Sequence, residues 1–297
     1  MPSLNKMPLQ KAETSSSEFS KAQLIDYNYL EQNKENLQKK FKNAEPFPHI
    51  IIDNFLNAEI AEEIEKKFTQ INRDQWLNFT HYNEYKFALN DTSQMPDGIS
   101  AALDLLNCDK FLKLIEEITG IDNLIADPQL EGGGMHLIKK NGFLNIHTDF
   151  STHPVNHNWQ RKLNLLLYLN KNWKQEYGGE IEFWNEDITE RKAKIPPVFN
   201  RCVIFKTDDK SFHGHPEPLN CPENEYRKSL AVYYYQNNPE ASVKSTNYRS
   251  RPNDPAYKKA LIAADRNLVS IYSFLKKNFK FNNKLGSNFL KIIKGKS

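Results

Sequence analysis

The spacing of apolar positions changes about halfway along the chain. In "NAEIAEEIEKKF" the apolar residues Ile60, Ile64 and Phe68 recur at helical spacing, and Asn57 stands where an N-cap belongs. A second helical pattern runs through 98–118 on Leu105, Leu106, Leu112 and Ile115, with Gly120 as its stop. Before both lies "PFPHIIIDNFL" (46–56), where Ile50–Ile52 form a β-branched run after a proline break and predict a short strand. From about residue 124 the apolar runs become short, β-branched or aromatic, and separated by turn residues. They are "GGGMHLIKK" (132–140), "FLNIHTDF" (143–150), "KLNLLLYLN" (162–170), "GGEIEFW" (178–184), "RCVIFK" (201–206), "SFHGH" (211–215) and "RKSLAVYYY" (227–235). Strands at this spacing predict a mainly β sandwich or barrel with supporting helices, an α+β chain. "LNLLLYL" is apolar almost throughout, as a strand buried on both faces is.

Composition narrows the picture. The 297 residues suffice to bury a large core, and 12% aromatic content argues against wholesale disorder. A net charge of +3 gives no reason to expect nucleic acid as a partner. The three cysteines, Cys108, Cys202 and Cys221, form no close pair, so neither a disulfide framework nor a zinc knuckle is expected, and a reducing compartment fits. The N-terminal stretch has no apolar core of a signal peptide, and the expected location is cytoplasmic. Residues 1–25 are polar and Ser-rich and read as a disordered lead. Residues 26–238 read as the folded domain, with its β core at about 124–236, and 239–297 as a basic, helical extension. Beyond Asp265 the extension has no acidic residue, and its lysines interleave with Phe and Ile. It reads as a helix packing on the domain, with weak contact to a membrane surface as the alternative.

The candidate chemistry begins with "NIHTDFSTH" (145–153). On a strand, His147 and Asp149 share a face, so both can grip one ion while Thr148 points the other way. Two histidines and one carboxylate on one face make the non-heme Fe(II) pattern, which leaves positions open for O2 and a co-substrate. The second histidine comes from "SFHGHPEP", where His213 and His215 both qualify, because strand parity gives them the same face. Downstream, Arg227 and Ser229 share a face at the start of the last strand, and Arg suits a buried carboxylate.

Taken together, His147-x-Asp149, "YLNKNW" (168–173), "GGEIEF" (178–183), "CVIF", His213 and Arg227 resemble the Fe(II)- and 2-oxoglutarate-dependent oxygenases, and within them the prolyl 4-hydroxylase-like branch. The resemblance spans roughly 46–236. It implies a double-stranded β-helix, the jelly-roll or cupin-like core. It implies iron held by His147, Asp149 and His213, with His213 aligning better than His215. It implies 2-oxoglutarate held by Arg227, with Tyr168 as a hydroxyl donor to the same carboxylate. The segment from His213 to Arg227 is longer than the family's usual spacing, and "NCPENE" reads as an insertion there. The implied reaction hydroxylates a C–H bond, with succinate and CO2 as co-products, O2 as oxidant and ascorbate as an optional reductant. Asp149 itself favours hydroxylation, since related halogenases have a small residue in its place. The implied substrates are peptidyl (prolyl-type) or small molecules, amino acids and glycans or glycolipids included. The rival from another class is a β-helix module that binds a metal or ligand without turnover.

Other residues carry weaker signals. His136 is expected to pack in the core and His153 and His157 to be solvated loop residues at the rim of the site, while contact with an anionic substrate is the less favoured reading of Arg161. Lys228 should face away from Arg227. Gly132–Gly134 lacks the lysine and helix of a phosphate loop and reads as a close-packed strand start.

Overall fold

The computed structural model describes residues 24–279. The lead at 1–23 and the end of the basic tail, 280–297, lie outside the described residues. The strands are β1 (His49–Ile52), β2 (Leu77–His81), β3 (Glu84–Leu89), β4 (Ile125–Ala126), β5 (Gly134–Ile138), β6 (Phe143–Thr148), β7 (Trp159–Tyr168), β8 (Ile181–Trp184), β9 (Arg191–Ile195), β10 (Arg201–Lys206), β11 (Phe212–His215), β12 (Arg227–Asn237) and β13 (Asn247–Tyr248). The helices are α1 (Tyr27–Gln32), α2 (Lys34–Asn43), α3 (Ala58–Lys67), α4 (Asp97–Leu106), α5 (Asp109–Thr119) and α6 (Ala256–Phe279).

The strands form one curled antiparallel sheet in the order β1-β10-β7-β12-β5-β3-β6-β11-β8-β9, with β2, β4 and β13 added at β3, β12 and β6. One leaf is β1-β10-β7-β12-β5 and the other β6-β11-β8-β9, and β3 joins them by pairing with both β5 and β6. This is the double-stranded β-helix, and the α+β reading holds.

The period of two explains why "LNLLLYL" is apolar on both sides. Leu163, Leu165 and Leu167 join the cluster that includes helix residues Ile64, Leu103 and Phe111, while Tyr168 joins Phe183, Val203 and Phe205 in a second cluster inside the barrel. β10 and β12 are divided in the same way, with Cys202, Ile204, Leu230 and Val232 on the helical side. Leu167 and Tyr168 are therefore both completely buried yet belong to different cores. Burying a large aliphatic side chain contributes about 1.5–3 kcal/mol, so the doubly buried central strands carry much of the fold's stability.

Asn57 caps α3 as expected, its Oδ1 accepting from the Glu59 N–H at 3.0 Å. Gly120 ends α5 in the left-handed region at φ 69°. The pattern over 98–118 is two helices and not one. Asn107 closes α4, and Cys108 is extended (φ −80°, ψ 153°) before α5 begins. The apolar spacing continues across this break because both helices bury Leu and Ile against the same core. The sequence pattern also missed α1, α2, the β2–β3 hairpin and β9. β2 is half-buried along most of its length and β9 largely exposed, so neither has a strong apolar alternation.

The C-terminal extension contributes to the domain. β13 pairs with β6, placing Tyr248 opposite His147. α6 docks through Ile262 and Asp265, both buried, while Tyr257, Leu261 and Ile271 are exposed. Of the apolar side chains described over 256–271, only some are thus used in packing.

Candidate metal centre and co-substrate pocket

β6 and β11 lie side by side with His147 directly opposite His213. β6 ends at Thr148, so Asp149 sits one residue past the strand, still close enough to His147 to share an ion. His147 Nε2 is 3.6 Å from Asp149 Oδ1, and His213 Nε2 is 3.5 Å from Asp149 Oδ2. One ligand atom from each of the three falls within 4.8 Å of the others, and this is the group of metal-ligand type found among the described residues. Thr148, between the first two ligands, is buried as well.

The ring orientations are fixed from behind. His147 Nδ1 is 2.8 Å from the Asn145 carbonyl oxygen, and His213 Nδ1 is 2.9 Å from that of Ser211. A carbonyl only accepts, so each Nδ1 carries the proton and each Nε2 presents its lone pair to the centre. Burial holds the His213 pKa down, at about 4, against the pull of Asp149, so the ring is neutral and ready to bind a cation. For Asp149 burial alone would raise the carboxyl, but Arg161, His213 and His147 reverse this and hold it well below the usual carboxylate range. Asn164 Nδ2 donates to Asp149 Oδ2 at 2.7 Å, and an Arg161 terminal nitrogen lies 3.2 Å from the same oxygen. Tyr248 and Phe205 enclose the two histidine rings, with centroids 5.4 and 4.8 Å away. Two imidazoles and a carboxylate, with their free edges converging and the Nδ1 groups tied up behind, fit Fe(II).

His215 is not part of this triad. The register of β11 against β6 slips between His213 and His215, which lies opposite Leu144. Gly214 marks the close approach there, since a Cβ at that position would sit 2.8 Å from the Leu144 and Asn145 carbonyl oxygens. His215 is buried, and neither ring nitrogen has a hydrogen-bond partner.

Arg227, 4% exposed at the start of β12, donates from Nε to the Gly179 carbonyl at 2.7 Å and from a terminal nitrogen to the Tyr168 hydroxyl at 3.2 Å. No carboxylate pairs with it among the described residues. Gly179 has φ 80°, and a Cβ there would press on Leu219 and on Arg227 itself, so glycine is what admits the arginine. Lys228 faces the other way, as expected, and pairs with Glu65 of α3.

Other expectations fared variously. His136 packs in the core, its Nε2 3.1 Å from the Gly132 carbonyl, and burial holds its pKa near 3. His153 is fully buried and not a solvated rim residue. Its Nε2 is 3.3 Å from Asp127, and its ring packs on Trp159 and Tyr235. It misled because it follows the metal pair so closely, whereas the chain turns inward there under β7. His157 is half-buried. Arg161 is buried between the rings of Tyr233 and Phe150, its Nε donating to Asn164 at 2.8 Å, so its first task is to hold Asp149. Asn164 is the one strongly polar residue within "LNLLLYL", and that was the signal that it serves the interior. A cleft of about 260 Å³ opens beside Asp149, lined by Phe150, Ser151, Gln160, Arg161, Thr207 and Ser242 among others.

Comparison with known proteins agrees with this geometry. Residues 133–235 match the 2OG-Fe(II) oxygenase superfamily, and the whole triad lies within that stretch. The matched stretch carries His147, Asp149, His213 and Arg227, the residues that would hold Fe(II) and 2-oxoglutarate in such an oxygenase. A curated relative, prolyl 3-hydroxylase OGFOD1 of Mus musculus, is 24% identical over 203 residues, 65% of this chain. The match spans only about a third (33%) of that protein's length. The solved prolyl hydroxylase of Trichoplax adhaerens, in complex with a hypoxia inducible factor peptide, shares the fold with a TM-score of 0.50 at 19% identity, covering 71% of this chain and 94% of that one. A prolyl-4-hydroxylase of Pseudomonas putida gives a TM-score of 0.48 at 15% identity, covering 67% and 98%.

Proposed function

We propose that the protein hydroxylates a C–H bond of a prolyl-type peptidyl substrate, converting 2-oxoglutarate and O2 to succinate and CO2. The observation that carries the reading is the pairing of an open His-Asp-His triad with a buried arginine that has no anion of its own. A lone buried guanidinium is costly. The distal carboxylate of 2-oxoglutarate supplies the missing partner, with the Tyr168 hydroxyl beside it. A divalent cation and a dicarboxylate dianion enter the barrel with no net charge between them, so Asp149, Arg161 and Arg227 keep their balance. His147, Asp149 and His213 would hold Fe(II), which when bound supplies the O2 chemistry. Arg161 and Asn164 orient Asp149. Phe205 and Tyr248 keep bulk water from the ligands, and the cleft beside Asp149 admits the prime substrate. The prolyl-type substrate is supported by the named activity of the curated relative.

A second substrate class, a hydroxyl-rich glycan or glycolipid, is favoured by the cleft itself, since Ser151, Gln160, Thr207, Asp208 and Ser242 line it with hydrogen-bonding groups.

Succinate release from 2-oxoglutarate with Fe(II) under air tests the reaction, and mass spectrometry of prolyl peptides and of glycans for one added oxygen tests the substrate. Arg227→Ala should weaken 2-oxoglutarate binding by at least about tenfold, as expected for a lost charged hydrogen bond. A wild-type protein that binds Fe(II) but neither binds nor consumes 2-oxoglutarate would overturn the reading in favour of a metal-binding module without turnover.

A further inference from the structure

Among the buried polar side chains that the triad and Arg227 leave without a task, His215 is the histidine with both ring nitrogens unpartnered among the described residues. His215 is 4% exposed, and both its ring nitrogens are shut off from solvent without a partner among the described residues. A buried donor or acceptor left unmade costs about 1–3 kcal/mol, and His215 presents one of each. Its position is well defined. It shares the inward side of β11 with His213, two residues away, and the charges that act on its ring most strongly are Arg227 and Lys86, then His147. It therefore lies between the Gly179 carbonyl that holds Arg227, with which it shares a cleft, and the ligand ring of His213.

Among the described residues no carboxylate bonds to His215. The acidic groups nearby are taken: Glu84 by His81 and Lys86, and Glu182 by Arg191 and by the Trp184 indole N–H at 3.0 Å. The slip in register between His213 and His215 also keeps the second ring off the metal, because His215 faces Leu144 where His213 faces His147. An apolar residue would fill the same space at lower cost, so the imidazole is explained by something that enters the barrel and bonds to it.

Building on the reading above, we propose that His215 is a positioning residue for the dicarboxylate co-substrate, with its ring N–H donating to a carboxylate oxygen between Arg227 and the metal. Arg227 and Tyr168 then grip one carboxylate from the β12–β7 side, and His215 meets the ligand from the β11 side. The pocket would thus hold its anion from opposite leaves of the sheet. His215 forms no bond to iron and takes no part in the oxygen chemistry.

The test is 2-oxoglutarate binding to Mn(II)-loaded protein, followed by calorimetry, with Mn(II) affinity measured separately. His215→Leu keeps the volume and removes both nitrogens. It should raise the Kd for 2-oxoglutarate roughly tenfold while leaving Mn(II) affinity unchanged. In turnover the KM for 2-oxoglutarate should rise with little change in kcat. His215→Gln, which keeps a donor and an acceptor, should recover most of the affinity. The proposal is overturned if His215→Leu binds 2-oxoglutarate as tightly as the wild type. It is equally overturned if Leu and Gln variants lose Mn(II) and 2-oxoglutarate together, since that would mark His215 as structural. If the wild type binds Mn(II) but no 2-oxoglutarate, the parent reading fails and this one with it; if the wild type binds it, Arg227→Ala weakens it and His215→Leu does not, this proposal alone fails.

Discussion

Two clusters of histidine and carboxylate lie close together in this protein, and only one is built for a metal. At the centre, His147 and His213 share a single carboxylate, Asp149, and each presents an unprotonated Nε2. On the β2–β3 hairpin the ratio is reversed. His81 lies between Asp265 of α6, 2.6 Å from its Nδ1, and Glu84, 2.8 Å from its Nε2. Lys86 extends the line, 3.0 Å from the other Glu84 oxygen. Asn83 closes it by donating to Asp265 at 2.7 Å. Burial would lower the His81 pKa, but its two carboxylates outweigh that and raise it to about 9. His81 is an imidazolium with both N–H groups used, and two cations face two anions. The residue types are nearly the same in the two places. What separates them is whether lone pairs are left over, and those depend on which carbonyls and side chains sit behind each ring.

The sharpest way to break this comparison is to remove the shared carboxylate. Asp149→Ala takes away a ligand, and outer partners of a ligand alone are worth about 10–100-fold, so loss of the ligand should lower Fe(II) or Mn(II) affinity by more than about 100-fold. Succinate formation should fall below detection. Asp149→Asn, which leaves Arg161 a neighbour of the same size, separates metal loss from misfolding. If either variant retained wild-type metal affinity, the triad would not be the site.

The complementary change is at His81. His81→Leu strips the charge from between two buried carboxylates, and removing one partner of a buried ionic cluster typically costs about 3–5 kcal/mol. The melting temperature should drop, while metal affinity per folded molecule stays the same. A fall in metal affinity with unchanged stability would mean that the hairpin cluster belongs to the metal site.

These two clusters also show what was legible in the sequence. The grouping of His147, Asp149 and His213 was readable because strand parity and a family pattern both act over short, ordered segments, and the same pattern singled out Arg227 and Tyr168, which meet at 3.2 Å. The division of β7 between two cores was readable for the same reason. The hairpin cluster was not. His81 and Asp265 are 184 residues apart, and nothing local marks either, because their meeting depends on how α6 docks. The His153 error has the same origin. Sequence nearness to the metal pair suggested the rim, but a loop's direction is set by what packs over it, here Trp159 and Tyr235. The break between α4 and α5 went unseen since burial on one core keeps the apolar spacing intact across a bend.

The two clusters should respond oppositely to pH. His81 has a raised pKa, so its contribution is complete below its unfolded value of about 6.5 and is lost as pH rises through about 9. His213 has a lowered pKa, so the fold favours its neutral form. That contribution is present above about 6.5 and fades as pH falls toward 4, where protonation also competes with metal. Metal-free protein should therefore lose stability on both sides of neutrality, and the alkaline loss should vanish in His81→Leu. An alkaline limb that persists in that variant would assign the effect elsewhere.

The smallest expected effect concerns the boundary between ligand and support. Asn164 donates to Asp149 and accepts from Arg161, so it touches the carboxylate and the cation that balances it without reaching the metal. Asn164→Ala should cost about tenfold in metal affinity, the low end for a group behind a ligand. It should do so with little change in 2-oxoglutarate affinity at saturating metal, because Arg227 and Tyr168 lie at the other end of β7. The same substitution made behind the hairpin, at Asn83, removes a donor to Asp265 and should lower stability by about 1 kcal/mol or somewhat more, leaving metal affinity untouched. If the two asparagines gave the same pattern, supporting hydrogen bonds would not be what tells the metal centre from its closed neighbour, and ligand identity alone would suffice.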